Sequence, residues 1–165
     1  MARPVVLIVL WAAAQAGGAE LARWGPEPSR GITVLSGGDS HWKVESWGDS
    51  RGAVLSPVQD YFRRASFLVK FEKPASGPVW LTVEYPDRGY GLISIAPDVP
   101  QSRQWGAARL NSGKLRRAWF RLEKVDPGRP LQLYGAPWLH SLSLSDEEPP
   151  REPLPEVKPA LEFSV

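Results

Sequence analysis

The sequence predicts an all-β protein, an antiparallel β-sandwich or jelly roll of about eight short strands, and three observations support this fold class. Apolar and polar residues alternate with a period of two in several segments, as they do in sheets with one face in water. Proline and glycine are abundant, with 17 and 15 residues. Clusters of turn-forming residues separate the alternating segments at fairly regular intervals.

The first four predicted strands are Ile32–Leu35, His41–Trp47, Ser66–Glu72 and Val79–Tyr85. The first is a short apolar run, and the other three alternate. In the fourth strand, Leu81 and Val83 share one face and Trp80 lies on the opposite face. Between the second and third strands, Val58–Arg64 is a weak candidate for a helix.

The last four predicted strands are Leu92–Ile95, Leu115–Lys124, Leu131–Tyr134 and Trp138–Leu144. The long strand in this half puts Ala118 and Phe120 on one face, and Arg117, Trp119 and Arg121 on the other. The final strand also alternates, whereas Leu92–Ile95 is a short apolar run and Leu131–Tyr134 is simply short.

Length and composition narrow the possible functions. A chain of 165 residues, 42% hydrophobic and 23% charged, is the size of one globular domain. The absence of cysteine excludes a disulfide scaffold, a thiolate metal site and a cysteine nucleophile. Because His41 and His140 are the only histidines, a site that needs three histidines is also excluded.

Residues 1–19 have the layout of a secretory signal peptide. Arg3 precedes the ten-residue apolar run Val5–Ala14, and small residues follow, with cleavage expected after Ala16 or Ala19. The alternatives are a membrane anchor or a buried strand. We expect a mature chain without a membrane span, secreted or periplasmic in a bacterium, since no other apolar stretch approaches membrane length.

Charge and proline content divide the rest of the chain into a sandwich domain, 20–145, and a tail, 146–165. The domain has 17 basic and 12 acidic residues, whereas the tail has two and six. Five prolines in the tail block helices and sheet ladders, so we expect a disordered, acidic, Pro-rich tail or linker that can dock a protein partner. The near-neutral net charge and the predicted export argue against nucleic acid as a partner.

The segment Trp80–Ile95, WLTVEYPDRGYGLISI, carries the block Tyr85-x-Asp87-x-Gly89-x-Gly91. It resembles the hairpin of galactose-binding-like β-sandwich domains, and Leu115–Val125 and Leu139–Asp146 are similar to later strands of the same family. Many such domains are carbohydrate-binding modules attached to glycoside hydrolases, so the resemblance implies a non-catalytic module that binds sugars.

The hairpin also suggests a cation site. Such sandwiches often carry a structural calcium, which the resemblance would place at Asp87 and Asp98. One or two carboxylates make a poor calcium site on their own, and Asp87 can equally accept a backbone N–H in the turn. No other cofactor is expected.

Catalytic motifs are weak. Gly38-Asp39-Ser40 resembles the start of the nucleophile block of the Gly-Asp-Ser lipase and esterase family, but His140 lacks the Asp three residues before it that this family needs. The α/β pattern of that family is absent as well. A glycosidase requires two carboxyl groups that face each other across a cleft, and nothing in the sequence indicates such a pair. We therefore expect no enzyme, with a hydrolase as a second alternative.

Tryptophan is the strongest sign of a binding surface, with seven of the eight residues after the predicted signal peptide. Flat rings in loops suit the C–H faces of sugars. The candidate glycan-binding residues, aromatics in predicted loops with polar neighbours, are Trp47, Asp49, Tyr61, Tyr90, Arg103 and Trp105. For each of them, packing in the core or on a strand is the alternative.

A second candidate surface is the polar face of the long strand, where Arg117, Trp119 and Arg121 alternate. Arginine stacked on tryptophan could hold an anionic polysaccharide or a phosphate-bearing surface, or could simply be a solvated face. If no glycan binds, the alternative function is a structural or protein-interaction sandwich of the cell envelope.

Overall fold

The structure of this protein is a computed structural model that describes residues 19–37, 41–47, 50–56, 66–97 and 103–155. These residues form antiparallel strands and turns, and no α-helix occurs among them. A helix capable of crossing a membrane is accordingly not found in these ranges. The predicted all-β fold class is confirmed. The candidate helix at 58–64 lies outside the described residues.

Sheet A contains five strands and carries the longest strand pair. In order across the sheet, they are β1 (Glu20–Trp24), β14 (Ser141–Ser145), β6 (Ala75–Pro86), β11 (Leu115–Val125) and β9 (Gln104–Trp105). All neighbours are antiparallel, and the register of β6 with β11 runs from Pro86 opposite Leu115 to Ala75 opposite Val125. The first strand of the domain therefore lies beside the last.

Sheet B faces sheet A and has four strands. They are, in order, β2 (Ile32–Gly37), β5 (Ser66–Phe71), β12 (Leu131–Tyr134) and β8 (Ser94–Ala96). A smaller sheet is formed by β13 (Trp138–Leu139), β4 (Ser50–Ser56) and β3 (His41–Trp47), and a two-stranded sheet by β7 (Tyr90–Leu92) and β10 (Ala108–Leu110).

The hydrophobic core lies between sheets A and B, as period-two alternation requires. From sheet A it takes Leu81 and Val83 of β6 and Phe120 of β11, all fully buried. From sheet B it takes Phe67 of β5 and Leu133 of β12. The alternate residues of β6 and β11 therefore form the outer face of sheet A, which faces away from the core.

Strand boundaries differ from the prediction where one segment serves two sheets. The predicted strand Leu92–Ile95 is divided, because β7 pairs with β10 and β8 pairs with β12. The predicted strand Trp138–Leu144 is divided at His140, because β13 pairs with β4 and β14 pairs with β6. The strands β1 and β4 were not predicted. Trp105, predicted to lie in a loop, belongs to strand β9.

The described part of the tail, residues 146–155, contains neither helix nor strand. This agrees with the prediction from its prolines. It nevertheless contacts the outer face of sheet A, as described below.

Candidate functional site

The strand register places a row of side chains across the outer face of sheet A. Trp105 of β9 is opposite Trp119 of β11, which is opposite Thr82 of β6. The row continues through Ser143 of β14 to Arg23 of β1. The two indoles are thus neighbours at one end of a row whose other members are polar.

The tail lies over this pair of indoles. The guanidinium Cζ of Arg151 is 5.2 Å from the ring centroid of Trp105 and 5.8 Å from that of Trp119. Both distances are in the range of cation–π contacts. Trp119 is consequently only 4% exposed although its strand position faces away from the core. Its indole N–H is buried and has no hydrogen-bond partner among the described residues.

Glu152 fixes the tail through two further contacts. The indole N–H of Trp105 donates to the backbone carbonyl of Glu152 at 3.3 Å. The carboxylate of Glu152 accepts a hydrogen bond from Nη1 of Arg117 at 3.2 Å. The Nε of Arg117 in turn donates to Glu84 of β6 at 3.0 Å. Arg117 therefore joins the tail to the centre of sheet A and is not a free cation.

A groove of about 790 Å³ lies beside these contacts, lined by the outer face of sheet A and by the tail. Its aromatic lining comes from Trp24, Trp105 and Trp119. Hydroxyl groups from Thr82, Ser141, Ser143 and Ser145 also line it. The carboxylates along it belong to Glu20, Glu27, Glu84, Glu147, Glu148 and Glu152.

In comparisons with known proteins, no family model, no curated protein and no solved structure matches the chain. The resemblance to galactose-binding-like domains stays an expectation drawn from the residues.

His140 is one of the residues that line the groove, and its ring lies between a backbone carbonyl and a carboxylate. Its Nδ1 is 2.6 Å from the backbone carbonyl of Arg51, and its Nε2 is 3.8 Å from the carboxylate of Glu84. The neighbouring hydroxyl, that of Ser141, donates to the same carboxylate at 2.9 Å. Ser40, the nucleophile of the hydrolase alternative, lies outside the described residues.

Asp87 is fully buried, and both oxygens of its carboxylate are used inside the protein. Oδ1 accepts the backbone N–H groups of Leu110 and Asn111 at 2.7 and 3.2 Å. Oδ2 accepts the N–H and the hydroxyl of Ser112 at 3.1 and 2.7 Å, and Nη1 of Arg116 is 3.4 Å away. Asp87 therefore holds the 110–112 turn, which leaves no free oxygen for a calcium ion. Asp98 lies outside the described residues.

The pKa of Asp87 follows from this environment. Burial alone would raise the pKa, but the hydrogen bonds from Ser112 and Leu110 and the charge of Arg116 outweigh it. The pKa is held below its usual value, so the group is a carboxylate at neutral pH.

The other predicted residues are spread over different parts of the protein. Tyr90 is 56% exposed but lies on β7, in a different sheet from Trp105. Arg103 and Arg121 both pair with Glu123 on β11. The side chain of Trp47, together with Asp49 and Tyr61, lies outside the described residues.

Sequence reasoning missed the residues that come from the tail. Arg151 and Glu152 were counted only as charges of a linker. Glu84 was recognisable as an outward residue of β6 by alternation, but its link to Arg117 depends on the register of two strands.

Proposed function

We propose that this protein is a non-catalytic carbohydrate-binding module of an exported protein, with its ligand in the groove on the outer face of sheet A. The observation that carries the proposal is the groove itself, where indole rings, hydroxyls and carboxylates line one space of about 790 Å³. That volume lies within the range of about 300–1,000 Å³ that is usual for small-ligand sites.

The chemistry of the lining suits a sugar better than an apolar ligand. The Trp105 ring offers a flat apolar surface for C–H groups, and the hydroxyls of Thr82 and Ser143 offer acceptors and donors for ring hydroxyls. Export is part of the proposal and rests on the layout of residues 1–19.

The test is a glycan array with an insoluble-polysaccharide pull-down, followed by tryptophan fluorescence titration of any hit. We expect saturable binding that Trp105→Ala weakens roughly tenfold or more, as for a central aromatic contact. Tyr90→Ala is the matched control, because Tyr90 is an exposed aromatic on another sheet. Equal losses in both variants, or no binding by the unmodified chain, would contradict the proposal.

A second candidate is a protein-interaction sandwich, and one observation favours it. The face around Trp105, Trp119 and Arg117 holds an extended Pro-rich segment, residues 146–155, much as other aromatic surfaces hold such segments. The test is a full chain carrying Arg151→Ala and Glu152→Ala, titrated with a synthetic peptide of residues 146–155. Saturable binding of this peptide, absent for a peptide with the same two substitutions, would support this candidate.

A further inference from the structure

A second cavity lies away from the groove, at one end of the sandwich. Its volume is about 310 Å³, and it lies where the end of β11 in sheet A meets the end of β5 and the start of β12 in sheet B. It shares no lining residue with the groove described above. Its ligand would therefore be distinct from the proposed sugar.

The floor of this cavity is apolar and continuous with the core. Phe71, Leu122 and Val125 line it and are 4%, 7% and 5% exposed, and Leu131 packs against the same core. Apolar side chains that border an unfilled space lack dispersion contacts on the side that faces it. An apolar group of matching size would restore these contacts and exclude water.

The rim of the cavity is cationic. Four basic residues line it, Arg103, Arg121, Lys124 and Arg129, against two acidic residues, Glu123 and Asp126. The acidic residues are already engaged: Glu123 pairs with two of the arginines, and Asp126 accepts the backbone N–H of Gly128 at 2.8 Å.

Two cations of the rim remain available. Both Lys124 and Arg129 line the cavity, and their side chains form neither a hydrogen bond nor an ion pair with the described part of the chain. In addition, the buried Nε of Arg121 has no acceptor there. Lysine and arginine beside an apolar, low-dielectric floor favour a carboxylate, since charge-assisted hydrogen bonds are about twice as strong as neutral ones.

We propose that this cavity binds an aliphatic carboxylate of medium chain length. The alkyl chain would lie against Phe71, Leu122 and Leu131, and the carboxylate would lie at Lys124 and Arg129. A volume of about 310 Å³ is at the lower end of small-ligand sites, so it suits one short chain and not a bulky lipid.

The experiment is calorimetric titration of the full chain with decanoate below its micelle concentration. Three further ligands separate the contributions of the two parts of decanoate. Acetate carries the carboxylate without the alkyl chain, and decanol carries the alkyl chain without the charge. Decyltrimethylammonium carries the same alkyl chain with a positive charge. We expect saturable binding of decanoate at one site, with decanol weaker by roughly tenfold or more, as the loss of a charged hydrogen bond implies. Acetate and the ammonium amphiphile should give no saturable heat.

Substitutions then locate the site. The double substitution Lys124→Gln with Arg129→Gln should weaken the binding of decanoate roughly tenfold and leave the binding of decanol unchanged. The matched control is Lys114→Gln, an exposed lysine that precedes the other end of β11 and is not part of the cavity. Leu131→Phe, which fills the floor from a partly buried position, should abolish decanoate binding while the melting temperature is retained.

The proposal is overturned if decanoate does not bind, or if decanol and the ammonium amphiphile bind as well as decanoate does. It is also overturned if the rim variants behave like Lys114→Gln. Trp105→Ala should not change decanoate binding, so failure here is distinguishable from failure of the sugar-binding proposal.

Discussion

Arg151 of the tail lies over the indole of Trp105, with its guanidinium carbon 5.2 Å from the ring centroid. The two residues are 46 positions apart in the sequence. Because the same guanidinium also covers Trp119, the tail governs how much of the aromatic pair reaches solvent.

Removal of this contact should uncover the indoles. We expect Arg151→Ala to red-shift tryptophan emission and to increase quenching by acrylamide, since Trp119 would lose its cover. The cost in stability should be about 0.5–1 kcal/mol, as for an exposed cation–π contact. Arg129→Ala is the control, because Arg129 makes no cation–π contact with the aromatic rings that the structure describes. An identical quenching profile in both variants would contradict the contact.

Gly106 should be intolerant of any side chain, because it positions β9 against β11. Its φ is +69°, and a Cβ there would lie 2.3 Å from the carbonyl oxygen of Arg117. We expect Gly106→Ala to lower the free energy of unfolding by about 2–4 kcal/mol, through strain and displacement of Trp105. Denaturant unfolding measures this loss.

Gly113→Ala is the matched control for this substitution. Its φ is +70°, but nothing lies within 4 Å of an added Cβ. We expect a loss of only about 1 kcal/mol, the cost of a left-handed conformation for alanine. Equal losses at both glycines would show that the approach to Arg117 is unimportant.

Asp87 should stabilise the protein in a pH-dependent way. Its pKa in the folded chain is below the ordinary value of 3.8, so its contribution is present above about pH 3.8 and is lost as the pH falls through the lower, folded pKa. We expect Asp87→Asn to cost about 2 kcal/mol at neutral pH, because the charged hydrogen bonds from the 110–112 turn are lost.

Urea unfolding at neutral pH and at successively lower pH measures this effect. The difference between the two proteins should shrink in acid. A difference that is constant with pH would contradict the role of the charge. Asp126→Asn, an exposed carboxylate with a single turn contact, is the control.

The phenol of Tyr85 should lose its proton at a higher pH than an exposed tyrosine does. Burial raises its pKa from 10.0 to about 12, and the charge of Arg116 offsets this only in part. The unfolded chain therefore loses this proton at a lower pH than the folded chain, so stability falls as the pH rises from about 10 towards 12. The single phenol proton is donated to the carbonyl of Gly106 at 2.8 Å, and the carbonyl of Ala108 lies 3.3 Å from the same oxygen.

The measurement is the tyrosinate absorbance of the folded protein minus that of Tyr85→Phe. We expect the difference to titrate near pH 12. A difference that titrates near pH 10 would show that the ring is not buried as described.

The two central strands show how much of the fold was predictable. Leu81 and Phe120 alternate with Trp80 and Trp119, and this local pattern fixed both the strand type and the face that enters the core. The short strands were less predictable, because three residues such as Tyr90–Leu92 carry no periodic signal. Whether such a short segment forms a strand depends on the neighbouring strand with which it pairs.

The candidate site was predictable only in part. Trp105 was selected from the sequence, but Arg103 was grouped with it because it lies two residues away, and Tyr90 was added as a further aromatic residue. In the fold, Arg103 pairs with Glu123, and Tyr90 belongs to another sheet. Distance along the chain is a poor guide here, since neighbours in a sandwich come from strands far apart in sequence.

The sequence by itself determined the all-β class, the inward faces of β6 and β11, and the lack of helix and strand in residues 146–155, the described part of the tail. These properties follow from alternation and from proline, which act within a few residues. Only the tertiary structure decided that Trp105 lies beside Trp119, that Arg151 and Glu152 cover them, and that Asp87 holds a turn. Such contacts join residues at least 14 positions apart, and they exist only once the register of the sheets has brought their strands together.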